Sequence, residues 1–510
     1  MKKILIANRG EIAVRVIRAC RDMGITSVAV YSECDRVARH VRMADEAYPI
    51  GGNPPSESYL RIDTIMDVAR KCGADGVHPG YGFLSENEDF SAACRDAGIK
   101  FIGPSPEVIE RMGSKTAARE VAMKVGAPVV PGTEGALAAD VPDAAIAKLA
   151  ESIGYPLMVK AVAGGGGKGM RVVMSPDELS GAIRGARSEA AASFGDSAIF
   201  LERRIGRARH IEVQLLGDQY GTVVPFVERE CSLQRRHQKV IEETPSSKVS
   251  PELRVRMTSA AANIARSVGY TGAGTIEFLL DEDGESFYFL EMNTRLQVEH
   301  PITEMVSGVD LVQWQIRIAR GEKLTLDPAL TIQPNGHAIE CRIIAEDPDA
   351  GFMPSPGLIS ALRVPTGPGI RDDGGTEPGA TVPIYYDPMI SNLVAWGQTR
   401  AQATARMRRA LSEYEVVGIK TSIPFHRWML DQPEFESAQF DTTYLDRLLK
   451  ERQGAPFMPA GDADEEIAAI VAALSTVIQG SPRSSAAASG GRPARSSRWV
   501  SQARFEGLRS

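Results

Sequence analysis

The chain has 510 residues, of which 43% are hydrophobic and 24% are charged, as in ordinary globular proteins. Its length predicts roughly three domains, its formal net charge of −7 gives no reason to expect nucleic-acid binding, and no apolar run approaches the ~20 residues of a membrane span. The six cysteines are scattered without a C-x-x-C pair, which argues against a disulfide framework or a zinc site. We expect a cytoplasmic enzyme with no membrane or nucleic-acid partner.

Residues 1 to about 110 alternate between strand and helix patterns, which predicts βαβ units and a parallel sheet. The predicted strands are 2–8, 26–32, 76–79 and 100–104, and the predicted helices are 10–24, 59–73 and 90–98. The loop ANRGE has one glycine, so the G-x-G-x-x-G dinucleotide fingerprint is absent and a nicotinamide dehydrogenase is disfavoured. His78 lies at a strand's carboxyl end, where α/β sheets bind ligands. We expect it either to contact a ligand or to form structural hydrogen bonds.

The sequence changes character at Ser114, where a predicted helix begins with Lys115. A lysine there opposes the helix dipole, which indicates a specific role such as meeting a phosphate. Further on, a strand carrying Lys160 leads into glycines 164–167, Lys168 and another strand. Glycine runs let the backbone approach phosphates closely. No Ser or Thr follows Lys168, so this is not a Walker A loop, and a flexible lid over a nucleotide is favoured over an idle linker.

Antiparallel strands are predicted next from the alternation in IEVQLLGD and VVPFVERE, and a cluster of cations follows. The cluster consists of Arg229, Arg235, Arg236, His237 and Lys239. A solvated charged face is the usual interpretation of such a run. A polyphosphate and an anionic co-substrate beside a metal ion would also require a cationic patch.

The runs TIEFLL and FYFLEMN flank the turn-forming DEDGES, which predicts a β-hairpin. A turn centred on Gly284 places Glu277 opposite Glu291, and side-chain alternation puts Asn293 on the same face. Facing carboxylates repel and raise one of the two pKa values unless a cation is present. Oxygen-only ligands suit Mg2+ or Mn2+. Two exposed strand glutamates are the alternative, and the charged run 295–300 directly after the strand favours the metal site.

Strand and helix patterns continue to about residue 450, with predicted strands at 337–343, 358–365 and 392–399 and helical segments at 399–414, 421–435 and 442–452. Apolar residues at helical spacing then predict an amphipathic helix over 462–479. From Ser481 the chain is rich in Ser, Ala and Gly and is predicted to be disordered. Its last thirty residues hold six arginines, so this tail is expected either to dock on a partner protein or to stay solvated.

Four separated motifs resemble those of the biotin carboxylase members of the ATP-grasp superfamily. They are GGGGKGM, ERECSLQRRHQKVIEE, EMNTRLQVEHPITE and HAIECRIIAEDP. The resemblance covers about residues 1–450 and implies an α/β and α+β multidomain fold. The implied parts are an N-terminal Rossmann-like parallel sheet at 1–113, an ATP-grasp domain at 114–330 with a mobile lid at about 131–204, a C-terminal β-rich domain at 331–450, and a helix plus basic tail at 451–510.

The resemblance also implies the site residues. The implied ATP contacts are Lys115, Lys160, Gly166, Gly167, Glu202, Arg203, Arg204, Ile205, His210, Gln234 and His237. The implied metal ligands are Glu277, Glu291 and Asn293, in agreement with the hairpin argument. The implied bicarbonate pocket is Lys239, Arg295 and Val298, with Glu299 as general base and Arg342 facing the biotin ureido oxygen. We further expect Arg295, four residues before Glu299, to lower the pKa of that carboxyl.

The resemblance implies ATP-dependent carboxylation of biotin on a separate carrier protein, with bicarbonate as the carbon source and carboxyphosphate as intermediate. The implied cofactors are ATP and Mg2+ or Mn2+, and the implied partners are a biotin carboxyl carrier protein, carboxyltransferase subunits and a second copy in a homodimer. Another ATP-grasp ligase would share the metal site and the lid but not the RRHQK and QVEHP runs. A non-catalytic nucleotide-binding protein would have lost Lys239, Arg295 or Glu299, and all three are present.

The segment Ala122-Met123-Lys124 matches the A-M-K that surrounds biotinylated lysines. It lies inside a predicted helix without the short alternating strands of a carrier domain. We therefore expect Lys124 to be an exposed helix residue, and the biotin to arrive on another chain.

Gly166→Val tests the lid. A valine there would keep the backbone from phosphate and penalise any positive φ, so the KM for ATP should rise. The melting temperature without nucleotide should change little, because the loop is not predicted to be part of the core. An unchanged KM for ATP would show that the loop is only a linker.

Overall fold

The computed structural model describes residues 1–133, 135–138, 141–162, 169–458 and 461–480. The chain forms two units, Met1–Phe457 and Met458–Ser510. Gly166 and Gly167 of the predicted lid loop, and the arginine-rich tail from residue 481, lie outside the described residues. Among the residues that the structure does describe, no helix combines the length and the apolar character that a bilayer span requires.

The helices of the described residues are α1 (Gly10–Asp22), α2 (Arg39–Met43), α3 (Ile62–Cys72), α4 (Glu88–Asp96), α5 (Pro106–Gly113), α6 (Lys115–Lys124), α7 (Asp143–Ile153), α8 (Pro176–Phe194), α9 (Pro251–Ser267), α10 (His300–Ser307), α11 (Leu311–Ala319), α12 (Pro328–Thr331), α13 (Arg400–Glu413), α14 (Ile423–Leu430), α15 (Pro433–Glu436), α16 (Tyr444–Glu451) and α17 (Asp462–Gly480). Helix α17 belongs to the second unit and confirms the helix predicted there.

The strands are β1 (Lys3–Ile6), β2 (Thr26–Ser32), β3 (Glu46–Gly51), β4 (Gly76–His78), β5 (Lys100–Phe101), β6 (Leu157–Ala161), β7 (Met170–Val173), β8 (Ile199–Arg203), β9 (Arg209–Gly217), β10 (Val223–Pro225), β11 (Arg229–Arg235), β12 (Gln238–Thr244), β13 (Gly272–Leu280), β14 (Phe287–Asn293), β15 (His337–Ile344), β16 (Glu346–Asp347), β17 (Met353–Pro354), β18 (Gly357–Leu358), β19 (Ala361–Arg363), β20 (Ile370–Gly374), β21 (Thr381–Val382), β22 (Met389–Gly397) and β23 (Glu415–Val417).

The N-terminal part is the predicted parallel sheet, with strand order β3-β2-β1-β4-β5. Its central strands β1, β2 and β4 consist mainly of buried residues, which explains their short apolar runs in the sequence. Strand β3 was not predicted. It lies at the sheet edge, is mostly half-buried and contains Pro49, so its sequence lacks an apolar strand pattern.

A nine-stranded antiparallel sheet forms the centre of the molecule. Its order is β14-β13-β9-β11-β12-β15-β22-β20, and β10 pairs with β9. The predicted boundary at 330/331 falls between β14 and β15, yet β15 hydrogen-bonds to β12 and the sheet continues across it. The strands on the two sides of that boundary therefore form one hydrogen-bonded platform.

The predicted hairpin is present as β13 and β14 with Glu277 opposite Glu291 as predicted, although the register nearer the turn differs. Phe278 pairs with Phe289, so the turn is centred half a residue before Gly284. A register shift between Glu277 and Phe278 then brings Glu277 opposite Glu291. The one extra residue in this irregularity restores the predicted pairing on the side away from the turn.

A separate three-stranded sheet, ordered β7-β6-β8, carries helices α7 and α8. It has a core of its own, in which Ile146, Leu157 and Leu201 are fully buried. Strands β6 and β7 were predicted, whereas β8 and its helices were not. This sheet occupies the sequence range predicted for the lid.

Candidate active site

A cavity of about 590 Å3 lies between the central sheet and strands β6 to β8. It is lined by every predicted catalytic residue and metal ligand and by most of the predicted nucleotide contacts: Lys115, Lys160, Glu202, His210, Gln234, His237, Lys239, Glu277, Glu291, Asn293, Arg295, Val298, Glu299 and Arg342. Arg203, Arg204 and Ile205 do not line it. The guanidinium of Arg203 instead donates to the hydroxyl of Tyr288 at 2.9 Å.

Charged residues from four adjacent strands form one row across the sheet. Glu291 on β14 faces Glu277 on β13, Glu277 faces Glu212 on β9, and Glu212 faces Arg229 on β11. Glu212 and Arg229 are fully buried, and Arg229 Nε donates to Glu212 Oε1 at 2.5 Å. Like charges opposite one another destabilise a sheet, so the three glutamates of this row require cations beside them.

Lys239 supplies the central cation. Its Nζ donates to Glu212 Oε2 at 2.6 Å, to Glu277 Oε1 at 3.0 Å and to Glu299 Oε1 at 2.7 Å. Burial on its own would lower the pKa of Lys239, but the three carboxylates hold that pKa well above its ordinary value. The ammonium is therefore charged, and it joins the sheet carboxylates to the loop that carries Glu299.

Glu299 is buried between two cations. It accepts from Lys239 and, at 3.0 Å, from Nη2 of Arg342. Burial would raise the pKa of the Glu299 carboxyl, but Lys239, Arg342 and Arg229 together hold it well below its ordinary value. Glu299 is thus an ionised carboxylate that faces the cavity.

Arg295 interacts with Glu299 through its charge, as predicted, but Lys239, Arg342 and Arg229 have the larger effects on the pKa of Glu299. Arg295 lies in the same cavity, but its guanidinium donates to Glu86 Oε2 at 2.8 Å, to Asn293 Oδ1 at 3.0 Å and to Gln297 Oε1 at 2.6 Å. A further hydrogen bond goes to the Leu296 carbonyl at 3.1 Å, and none within the described residues goes to Glu299. The cations with the largest effect on the pKa of Glu299 therefore come from β12, β15 and β11. Sequence proximity did not reveal these stronger partners, because strand pairing brings distant cations close to Glu299.

The hairpin carboxylates differ in their surroundings. Burial would raise the pKa of Glu277, but Lys239 and His210 hold it low. Burial, and then the charge of Glu277, raise the pKa of Glu291. The side chain of Glu291 has neither a hydrogen bond nor an ion pair within the described ranges, and it belongs to the cavity lining. An oxygen ligand without a partner, next to an ionised one, fits a hard divalent cation such as Mg2+.

Cations and a carboxylate lie on the side of the cavity that is formed by α6, β6 and β8. Glu202 on β8 accepts from Lys160 Nζ at 2.5 Å and from Arg119 at 3.2 Å. Lys115 also lines the cavity, and burial lowers its pKa against the opposing charge of Glu291. Three cations and one carboxylate therefore line this end of the cavity, while the predicted phosphate contact of Lys115 stays a prediction.

The turn between β11 and β12 brings His237 to the cavity. Arg236 and His237 have φ values of 50° and 66°, a left-handed conformation that non-glycine residues adopt uncommonly. Two such residues make the tight turn that matches the twist of a hairpin. Beside it, Gln234 lies 3.0 Å from Nδ1 of His210, whose other ring nitrogen is 2.9 Å from Glu277.

Three residues that the sequence patterns did not single out hold the predicted residues in place, namely Glu212, Gln297 and Glu86. The signal for Glu212 was local, because His210 and Gln214 alternate with it along an otherwise apolar buried strand. Glu86 had no such signal, since it meets Arg295 from 209 residues away. His78, for which two alternatives were open, is fully buried within hydrogen-bonding distance of Gln315 and is not part of the cavity lining.

Three family models match the chain in order. They are the biotin carboxylase N-terminal domain at residues 1–109, the carbamoyl-phosphate synthase L chain ATP binding domain at 114–327 and the biotin carboxylase C-terminal domain at 340–447. Together with the separate three-stranded sheet and the carboxylate-lined cavity, they define an ATP-dependent ligase of the ATP-grasp class. Its cofactors are ATP and Mg2+.

Individual relatives identify the family within the ATP-grasp class. Biotin carboxylase 1 of Bacillus subtilis is 50% identical over 88% of this chain and 98% of its own length. Biotin carboxylase of Nostoc sp. is 51% identical over 88% of this chain and 99% of its own. The chain belongs to the biotin carboxylase family, and its activity is the ATP-dependent carboxylation of biotin.

Solved structures agree with this assignment. The biotin carboxylase domain dimer of 2-oxoglutarate carboxylase from Hydrogenobacter thermophilus, in complex with MgADP, ADP and bicarbonate, has a TM-score of 0.84 and 47% identity, and the match covers 90% of this chain and 99% of that one. Biotin carboxylase of Campylobacter jejuni in a β-γ-ATP complex has a TM-score of 0.84 and 47% identity over 88% and 98% of the two chains.

Glu291→Gln and Glu277→Gln should differ in stability when no divalent cation is present. Neutralising Glu291 relieves repulsion, so the melting temperature should hold or rise slightly. Losing the Glu277 charge weakens the hydrogen bonds that its Oε1 accepts from Lys239, Asn293 and Gln297 and should cost about 1–3 kcal/mol. Unfolding in EDTA measures both variants, and turnover at limiting Mg2+ should fall for Glu291→Gln. A Glu291→Gln protein that kept wild-type turnover there would rule Glu291 out as a metal ligand.

Proposed function

We propose that this enzyme carboxylates biotin carried by a separate protein, with bicarbonate as the carbon source and carboxyphosphate as the intermediate. The observation that carries the proposal is the ionised Glu299 carboxylate, buried in the cavity between Lys239 and Arg342. A base and two fixed cations in one buried pocket suit an anion that must lose a proton before it can react.

In the first step, bicarbonate occupies the pocket formed by Lys239, Arg295 and Val298. Bicarbonate is a weak nucleophile until it is deprotonated, and Glu299 accepts that proton. The oxygen so activated attacks the γ-phosphorus of ATP, and ADP leaves. Arg295 is pre-oriented for a planar oxyanion because Glu86, Asn293 and Gln297 fix its guanidinium.

The nucleotide end of the cavity holds the polyphosphate. Lys115 and Lys160 face the phosphates, and Glu202, His210, Gln234 and His237 contact the rest of the nucleotide. Glu277, Glu291 and Asn293 hold Mg2+, which when bound offsets charge on the transferring phosphoryl group. Positioning and electrostatics by fixed side chains then supply the catalysis of this step.

In the second step, carboxyphosphate breaks into CO2 and phosphate, and that phosphate takes the proton from N1′ of biotin. The ureido oxygen gains negative charge as the proton leaves. Arg342 is proposed to stabilise this enolate-like oxygen, as donors do in an oxyanion hole. N1′ then attacks CO2, and carboxybiotin forms.

The proposal extends to organisation and partners. We divide the chain into the domains 1–113, 114–330 and 331–450 plus the extension 451–510, with a lid at about 131–204 that closes over ATP. The partners are a biotin carboxyl carrier protein, carboxyltransferase subunits and a second copy of the chain, which is supported by the dimer of the Hydrogenobacter relative. Cytoplasmic location is supported by six free cysteines.

Glu299→Gln and Arg295→Lys test the base and its pocket. Glu299→Gln should lower bicarbonate-dependent ATP cleavage by about 10²–10⁴-fold, the usual value of a general base. Arg295→Lys should raise the KM for bicarbonate because lysine cannot form the bidentate contact. The double variant should lose much less than the product of the two effects if both residues serve one step.

ATP cleavage with free biotin, measured in all four proteins, provides these values, and ATP binding by calorimetry serves as the control that should survive. Full additivity, or a Glu299→Gln enzyme within a few-fold of wild type, would refute the assignment of Glu299 as base.

The separate carrier has its own test. Lys124 is the last residue of α6 and is exposed, and a helix end lacks the hairpin that displays a biotinylated lysine. Coexpression with a biotin ligase should therefore leave this chain unlabelled by streptavidin, with a carrier domain as positive control. A labelled band at this mass that disappears in Lys124→Arg would show that the chain carries its own biotin.

A further inference from the structure

Arg342 is held by a buried glutamate that does not line the cavity. Its Nε donates to Glu242 Oε1 at 2.6 Å, while its Nη2 donates to Glu299 Oε2 at 3.0 Å. Glu242 is fully buried on β12, so it can orient the guanidinium without touching a substrate. One edge of Arg342 is thus fixed to the sheet, and another points to Glu299 and the cavity.

A second buried carboxyl lies beside Glu242. Glu340 on β15 is its cross-strand partner, and directly opposed side chains share a face of the sheet with Cβ atoms about 5 Å apart. Glu340 is 0% exposed, and within the described part of the chain neither of its carboxyl oxygens has a hydrogen-bond partner. A buried charge without a partner is very unfavourable, and such a group neutralises instead.

We propose that Glu242 is a positioning residue for Arg342 and that Glu340 beside it is a neutral carboxylic acid, so that a single negative charge on this pair fixes the guanidinium. The inference rests on the proposed role of Arg342 at the biotin ureido oxygen and deepens it. Glu242 acts through Arg342, and Glu340 sets the charge of the pair.

The pKa shifts of the two carboxyls support an ionised Glu242 beside a neutral Glu340. Burial raises the pKa of Glu242 to about 7, with the charge of Arg342 as the main opposing influence. Burial raises the pKa of Glu340 well above its ordinary value, and the charge of Glu242 raises it further. Arg342 hydrogen-bonds to Glu242 and not to Glu340. Glu242 therefore loses its proton first, and Glu340 keeps its own.

The number of negative charges on Glu242 and Glu340 affects the contact between Arg342 and the base, Glu299. A second negative charge on Glu340 would attract Arg342 and compete with Glu299 for the same guanidinium. If Glu242 were uncharged, Glu299 would be the one anionic hydrogen-bond partner left to Arg342 among the described residues. A neutral Glu340 and an ionised Glu242 leave the guanidinium in the position that the structure shows.

Two isosteric variants separate these roles, assayed at pH 8 with free biotin so that Glu242 is ionised in the wild type. Glu242→Gln should lower kcat/KM for biotin by about 10–100-fold, as expected when a charged hydrogen bond is lost. Its KM for ATP should change by less than about three-fold, since it removes a contact outside the nucleotide site. Glu340→Gln replaces a neutral acid by a neutral amide and should stay within about three-fold of wild type in both values.

Infrared spectroscopy detects the protonation state of the Glu340 carboxyl directly. The wild type at pH 8 should show the carbonyl band of a protonated carboxylic acid, shifted in D2O, and Glu340→Gln should lack it. The matched control is Glu243→Gln, next to Glu242 on β12, whose carboxylate pairs with His337 at 2.8 Å and Arg400 at 2.7 Å. It should lower the melting temperature and leave the KM for biotin unchanged.

Arg342→Ala separates failure of this inference from failure of the proposed function. If Arg342→Ala leaves the KM for biotin unchanged, the role of Arg342 is wrong and this inference is overturned with it. If Arg342→Ala raises that KM, the inference alone is overturned by any of three results. These are an unaffected Glu242→Gln, an equal loss in Glu340→Gln, and no carbonyl band assignable to Glu340.

Discussion

The site depends on neutralising carboxylates that are buried together. Glu212, Glu277 and Glu299 all accept hydrogen bonds from the single ammonium of Lys239. Isolated charges in a protein interior cost several kcal/mol each, and they are tolerated when paired and hydrogen-bonded. Removing one partner of such a network costs more than its hydrogen bonds suggest, because it leaves the others uncompensated. Lys239 therefore holds the carboxylates at the separations that the proposed chemistry requires.

The antiparallel sheet is what makes this arrangement possible. Glu277, Glu212 and Arg229 come from three neighbouring strands at matched register positions, and Lys239 and Arg342 follow on β12 and β15. Because β12 and β15 pair across the predicted domain boundary, Lys239 and Arg342 are fixed on one continuous platform, and both donate to Glu299 on the loop before α10. A site built on paired strands holds its geometry more closely than one built on loops.

One carboxylate of the sheet lacks a partner among the described residues, and it faces the cavity. Glu277 is surrounded by donors, whereas Glu291 has no partner within the described ranges and faces the cavity. The same asymmetry gives the two carboxyls opposite pKa shifts. A divalent cation beside Glu291 would relieve the repulsion, so the arrangement of the side chains favours one. The proposed lid completes the cavity from the other side with Lys160 and Glu202.

The sequence by itself determined the N-terminal parallel sheet, the hairpin with Glu277 opposite Glu291, and the family, because these rest on local periodicity, turn chemistry and contiguous motifs. Tertiary structure alone decided which cations hydrogen-bond to Glu299. Arg295 is four residues away, yet Lys239 and Arg342, which are 60 and 43 residues distant, form the hydrogen bonds. Non-local strand pairing also joined β12 to β15, placed Glu86 on Arg295, and set Glu340 beside Glu242. No local pattern encodes such pairings, because register between distant strands is fixed by the packing of the whole sheet.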